Sequence, residues 1–130
     1  MSRVLLSVEE VLEIHAEQIR RHGGSAGIRD MGLLESAVHA AAATLGGVFL
    51  HDDLFEMAAA YLFYIVKNHP FVDGNKRAGT AAALVFLDLN DVEIAEDEPA
   101  FSDLVLDLVQ DKIGKEKMAD FLRTHASRRS

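Results

Sequence analysis

An all-α domain, with about six helices packed around a central buried one, is the fold this sequence predicts. Three observations point to it. Apolar residues recur at helical spacing along most of the chain, which places them on one face of successive helices. Two stretches carry the cap-x-x-Glu pattern of a helix start, Ser7-Val8-Glu9-Glu10 and Asp53-Leu54-Phe55-Glu56. The run from Ala78 to Leu87 holds no charge and has Thr80 as its only polar side chain, the composition of a helix buried on every side. At 130 residues, 49% of them hydrophobic, the chain can bury one core, so a single domain over residues 1–130 is expected.

The first helix starts at the Ser7 cap. Val8, Val11, Leu12, His15 and Ile19 share its buried face. His15 therefore reads as a satisfied core or supporting residue and is given no catalytic role. Gly23, Gly24 and Gly27 interrupt the stretch after Arg20-Arg21-His22 and mark a flexible loop. A plain helix–helix connection is one reading of that loop. A flap that holds a target segment beside an active site is the other, and the residues leave both open.

Asp30 can cap the second helix, with Leu33, Leu34, Ala37, Val38 and Ala41 as its stripe and Gly46-Gly47 as its close. His51-Asp52-Asp53 has the residue types of a metal site, but three neighbours in sequence do not face one point, and the cap reading is preferred. Leu54, Met57, Ala58, Tyr61, Leu62 and Ile65 line the third helix, which runs to about Lys67. Pro70 cannot sit in a helix interior, so a loop starts there. The buried helix spans about Asn75 to Leu89, with Asn90 at its end, and Asp91 to Ile94 reads as a short extended piece. Residues 88–111 carry nine acidic side chains and no basic one, the mark of a solvated face. Phe101, Leu104, Val105, Leu108 and Val109 give the fifth helix its stripe, and Gly114 stops it. Met118, Phe121 and Leu122 suit a short last helix, followed by a fraying basic tail from Arg123 to Ser130.

Composition narrows the function. The formal net charge is −8, which makes direct nucleic-acid binding or membrane-surface binding unexpected. There is no cysteine, so no disulfide or thiolate metal site can form. No apolar run approaches the roughly 18 residues of a membrane span. The apolar run near Met1 is too short for a signal peptide. A cytoplasmic location is the expectation.

The chemistry concentrates in Asn68-His69-Pro70-Phe71-Val72-Asp73-Gly74-Asn75-Lys76-Arg77. This polar loop feeds directly into the buried helix. The first turn of a helix has N–H groups without intrahelical partners, and the macrodipole adds positive potential there. Such an end binds phosphate. Gly74 lets backbone approach a ligand closely. Lys76 and Arg77 add full positive charge, and Arg can grip phosphate oxygens in bidentate fashion. Asp73 suits Mg²⁺, which binds through one or two carboxylates plus phosphates. His69 can act as a general base near neutral pH. A capped helix start with a solvated charge cluster is the bland alternative; it explains each residue singly better than it explains the string.

The stretch His69-Pro70-Phe71-Val72-Asp73-Gly74-Asn75-Lys76-Arg77 resembles the signature of the Fic/Doc family, His-Pro-Phe-x-Asp/Glu-Gly-Asn followed by a basic pair or Gly-Arg. Its Asn-Lys-Arg form is similar to the Doc branch, the death-on-curing toxins. Gly27-Ile28-Arg29-Asp30 and Gly32-Leu33-Leu34-Glu35-Ser36-Ala37 extend the likeness. The resemblance implies a helical fold and a protein-modifying transferase that uses ATP and Mg²⁺. It assigns His69 to take the proton of a target hydroxyl and Asp73 to hold Mg²⁺ on the nucleotide phosphates. Gly74, Asn75 and Lys76 would supply a backbone anion hole, with the Asn75 amide also on phosphate, and Arg77 would neutralise charge during transfer. Phe71 would point inward and fix the loop.

Two positions depart from the adenylylating branch, which usually has Gly where this chain has Lys76 and Arg where it has Thr80. The Doc branch shares the lysine and is associated with kinase activity. The implied reaction is γ-phosphate transfer from ATP to a Ser or Thr of a target protein, a translation elongation factor being the expected substrate, with translation blocked as a result. Adenylylation is the alternative, and a non-catalytic nucleotide- or partner-binding module the second. The chain has no Ser/Thr-x-x-x-Glu-Gly/Asn inhibitory string, so a small antitoxin is the expected brake, seated near the first helix and residues 20–29.

Overall fold

The computed structural model describes residues 3–95 and 99–128. Within them the chain forms α1 (Val8–His22), α2 (Met31–Ala41), α3 (Leu54–Asn68), α4 (Asn75–Leu89), α5 (Pro99–Val109) and α6 (Lys115–His125). Four short strands, β1 (Thr44–Leu45), β2 (Val48–Phe49), β3 (Val92–Ile94) and β4 (Ala126–Arg128), make two antiparallel pairs, β1–β2 and β3–β4. The architecture is the expected all-α bundle. No helix among the described residues is long and apolar enough to cross a membrane.

Local chemistry sets the helix starts. The Ser7 hydroxyl accepts from Glu10 N–H at 3.1 Å, and the Glu10 carboxylate accepts from Ser7 N–H at 2.8 Å. Asp53 and Glu56 form the same reciprocal pair at the head of α3, at 2.8 and 3.1 Å. Asp30 accepts from Leu33 N–H at 3.0 Å and caps α2. Each such cap contributes about 0.5–2 kcal/mol.

Helices α3 and α4 form the centre. Every side chain from Met57 to Leu62 is buried, so α3 is covered on all sides, by α2, α4 and α6. Helix α4 buries Ala78, Gly79, Ala82, Ala83, Phe86 and Leu87 and leaves Thr80, Ala81, Leu84 and Val85 half-buried. The two helices approach closely at Gly79, where a Cβ would lie 3.2 Å from both Leu62 O and Val66 Cγ2. The Tyr61 hydroxyl accepts from Leu6 N–H at 3.1 Å and its ring lies 5.2 Å from that of Phe86, which ties the segment before α1 to this centre.

Three boundaries differ from expectation. Helix α2 ends at Ala41, and Gly46-Gly47 instead turns the β1–β2 hairpin, with φ of 59° and 80°. Such two-residue turns match the twist of the strands they join. Helix α5 ends at Val109, and Gly114 is the cap position of α6, not the stop of α5. The stretch read as a fraying tail is helical to His125 and then pairs with β3, Ala126 opposite Ile94 and Arg128 opposite Val92; residues 129–130 lie outside the described residues. In the acidic stretch, Asp88, Asp91, Glu93, Asp103 and Asp111 are exposed and Asp107 is half-buried, while Glu96-Asp97-Glu98 lies outside the described residues.

The close approach at Gly79 can be tested directly. Gly79→Leu should drive a side chain into the Leu62 carbonyl and cost about 1–3 kcal/mol or more by overpacking. Urea unfolding would read it as a lower midpoint, and an unchanged midpoint would mean that α3 and α4 do not touch there.

Candidate active site

Helix α3 ends at Asn68. His69 follows in left-handed backbone, φ 51° and ψ 54°, its N–H still donating to Ile65 O at 3.1 Å. Such a conformation costs a residue with a Cβ about 1–3 kcal/mol and persists where the surroundings impose it. Pro70 then has no N–H to offer a helix, and the chain turns away.

Asn75, the first residue of α4, fixes the loop. Its Oδ1 accepts from Phe71 N–H at 3.0 Å and its Nδ2 donates to Phe71 O at 2.9 Å. Phe71 points inward as expected and is fully buried. Its ring stacks on His15, centroids 3.7 Å apart and planes within 3°. His15 Nε2 donates to Asp73 O at 2.8 Å. A carbonyl only accepts, so in the neutral ring the proton sits on Nε2. His15 is 2% exposed, and its position is the supporting one expected from the α1 face.

The Asn75 amide was expected on phosphate. Its Oδ1 and one Nδ2 hydrogen are instead engaged with Phe71, which ties the amide to the loop and leaves the second Nδ2 hydrogen and the Asn75 backbone N–H as donors. Gly74, at φ 77°, holds the cap position of α4, and no side chain caps that end. The first helical bond is Ala78 N–H to Gly74 O at 2.8 Å. The N–H groups of Asn75, Lys76 and Arg77 therefore have no intrahelical acceptor. Lys76 and Arg77 are exposed and form no ion pair among the described residues.

Asp73 is exposed. Its Oδ1 accepts from Gly74 N–H at 2.8 Å and its Oδ2 lies 3.4 Å from Ser25 N. The Gly74 N–H, an expected member of the anion hole, is thus engaged within the loop, and the Arg77 N–H is open in its place. No group of three or more His, Cys, Asp or Glu among the described residues could hold a metal by itself. A single carboxylate beside free helix N–H groups nonetheless fits Mg²⁺, which keeps waters and takes its other ligands from phosphates.

His69, Asp73, Gly74, Asn75, Lys76 and Arg77 line one cavity of about 470 Å³, with Val66 and Val109 on its apolar wall. A second cavity of about 450 Å³ shares Lys76 and Arg77 and runs along α4 past Thr80, Ala81 and Leu84 to Phe101 and Val105 of α5.

The α1–α2 connection is more than a linker. Val72 N–H donates to Gly27 O at 2.9 Å, and Arg29 and Asp30 N–H donate to Pro70 O at 2.7 and 3.0 Å. Ile28 bridges Phe71 in antiparallel fashion. The loop thus lies along the motif, the position a flap would take. Arg29 also reaches it with its side chain, which local pattern could not have revealed: its partners Asn68 and His69 are 39 and 40 positions away.

A helical bundle that turns a histidine, a carboxylate and an uncapped helix start toward one cavity defines a class. The chain belongs to the Fic/DOC family, whose model matches residues 5–87. It is similar to the protein kinase Doc of Escherichia phage P1, 35% identical over 118 residues, which covers 91% of this chain and 92% of that protein. It is also similar to the toxin Doc of Mycolicibacterium smegmatis, 47% identical over 75 residues, which covers 58% of each.

His15→Phe would keep the stack on Phe71 and remove the donor to Asp73 O. An acceptor left without its partner costs about 1–3 kcal/mol when buried, so stability to urea should fall and the amide signals of Asp73 and Gly74 should shift. Unmoved signals would show that His15 does not hold the loop.

Proposed function

We infer that this chain is a Doc-like toxin that transfers the γ-phosphate of ATP to a Ser or Thr hydroxyl of a target protein. One observation carries the reading: a histidine, a carboxylate, two cations and a helix N-terminus without a side-chain cap share one cavity. Positioning and electrostatics dominate phosphoryl transfer, and these groups supply both. The kinase name of the phage relative supports the same chemistry.

In this reading His69 takes the proton of the target hydroxyl as its oxygen bonds to the γ-phosphorus. The bond to the β–γ bridging oxygen breaks and ADP leaves. The backbone N–H groups of Asn75, Lys76 and Arg77 hold phosphate oxygens, and the Arg77 guanidinium neutralises charge as it develops. Asp73 would hold Mg²⁺, which when bound supplies further neutralisation of phosphate charge. Lys76 and Thr80 set the direction in which the nucleotide lies. A long cation replaces a glycine at the phosphates, and the guanidinium that would grip the far end of a triphosphate is missing. The target is a protein, a translation elongation factor being the one the family resemblance points to, and its modification would block translation in the cytoplasm. A small antitoxin acts as the brake in trans, its disordered tail folding as an amphipathic helix on the toxin.

Incubation of the protein with cell lysate and either γ- or α-labelled ATP tests the reaction. Label from the γ position alone is the expected result, and label from the α position would overturn it in favour of adenylylation. His69→Ala should lower transfer about 10²–10⁴-fold, the usual range for a lost general base, and remain folded. Asp73→Ala should weaken Mg²⁺–ATP binding, and full activity in excess chelator would remove the metal from the scheme. Lys76→Gly with Thr80→Arg should lose γ-transfer if those positions set the orientation.

A further inference from the structure

Helix α3 delivers His69 at its C-terminal end, where the last carbonyls have no intrahelical partner. One side chain from the α1–α2 loop takes two of them. Arg29 Nη2 donates to Asn68 O at 2.9 Å and Nε donates to His69 O at 2.6 Å. The Arg29 backbone N–H donates to the next carbonyl, Pro70 O, at 2.7 Å. A single residue therefore grips three consecutive carbonyls around His69. A planar, permanently charged guanidinium suits that task, both as a fork with fixed geometry and as a cation at a helix C-terminus.

The grip bears on where the imidazole points. The His69 ring makes no hydrogen bond or ion pair among the described residues. With no such bond to orient it, its aim depends on the backbone that carries it. That backbone is left-handed, φ 51° and ψ 54°, a conformation the surroundings must enforce. The peptide plane that carries Asn68 O sets φ of His69, and the plane that carries His69 O sets its ψ. Arg29 holds both planes. Arg29 is itself exposed and buries nothing in the core, so packing gives it no comparable task.

We propose that Arg29 is a positioning residue for His69: it locks both backbone dihedrals of the base from the flap and so aims the imidazole at the target hydroxyl. The proposal rests on the reading of His69 as general base. A displacement on the order of 1 Å at a reacting group can cost about 10²-fold in rate. The loss should fall on kcat, because the phosphate site at the head of α4 does not involve Arg29.

The test uses the full chain carrying Arg29→Ala or Arg29→Lys, with two readouts. In the labelled-ATP assay, Arg29→Ala should lower kcat about 10- to 100-fold with KM for ATP within about twofold. Arg29→Lys should recover part of the rate, because an ammonium reaches one carbonyl but not both, and added methylguanidinium should rescue Arg29→Ala in part. In histidine-ring NMR, the His69 signal should move or broaden in Arg29→Ala while that of His51, which lines a different cavity, stays in place. An unmoved His69 signal, an unchanged kcat, or a loss confined to KM would overturn the proposal. So would a general shift of all histidine signals together with early melting. If the unaltered protein transfers no label, the transferase reading fails, and the His69 ring signal alone decides whether Arg29 positions it.

Discussion

The two hydrogen bonds between the Asn75 amide and the Phe71 backbone are the constraint on which the site depends. They close the loop onto the first turn of α4. A buried amide with both ends satisfied is a rigid brace, and cutting either bond would leave a polar group stranded in a dry place. From Phe71 the constraint passes in two directions. Its ring carries it to His15 and so to α1. Its backbone carries it to Ile28, and so to the α1–α2 connection. His15 then returns to the loop at Asp73 O. The α1–α2 connection, α1 and the head of α4 are held in register through one phenylalanine.

The brace has a cost at the helix head. Asn is among the favoured N-cap residues, yet Asn75 lies one position inside the helix and points its amide back at the loop. Gly74 takes the cap position and offers no side chain. The helix thereby forgoes a side-chain cap, worth about a few tenths of a kcal/mol over the glycine that stands there, and its first N–H groups are left facing a cavity. The same residues that make the loop rigid leave the helix end open, so rigidity and free N–H donors arise from one arrangement.

Much of this was legible in the sequence. The caps at Ser7, Asp30 and Asp53 were readable because the partners lie within three residues of each other, and the stripes of α1, α2 and α3 because helical period is a local signal; α4, whose uncharged run suggests burial on every side, instead leaves Thr80, Ala81, Leu84 and Val85 half-buried. Glycine was less informative. Gly46-Gly47 and Gly114 announce that the chain changes course, but a helix stop, a hairpin turn and a helix start use the same residue. The β3–β4 pair joins residues 92–94 to 126–128; three-residue strands have no period to detect, and their partner is set by tertiary packing. The motif residues gathered at one cavity as their spacing suggested. The direction of the Asn75 amide was not readable, since a phosphate contact and a loop brace ask for the same side chain. Nothing near Arg29 in sequence points to a carbonyl clamp, because its partners arrive with another helix.

Several departures from local stability rules fall together between residues 69 and 77, although Asp91 and Asp111 also adopt positive φ. Helices α1 and α3 open with full capping boxes and glutamates in the first turn. Helix α6 also opens without a side-chain cap, but Glu116 sits in its first turn between two lysines. Among the described residues, α4 alone combines an absent side-chain cap, no acidic residue in the first turn, and two cations there that form no ion pair. Each cation opposes the helix dipole by about 0.3–1 kcal/mol at an exposed site. Immediately before it, His69 is held in a conformation that costs more than an ordinary one. In a chain with a formal net charge of −8, two cations beside a positive dipole are a local reversal. An anion at this end changes the sign of each term: the free N–H groups gain acceptors, the dipole gains its counter-charge, and Lys76 and Arg77 gain a partner. The stability left unclaimed at the head of α4 is therefore available as binding energy for phosphate.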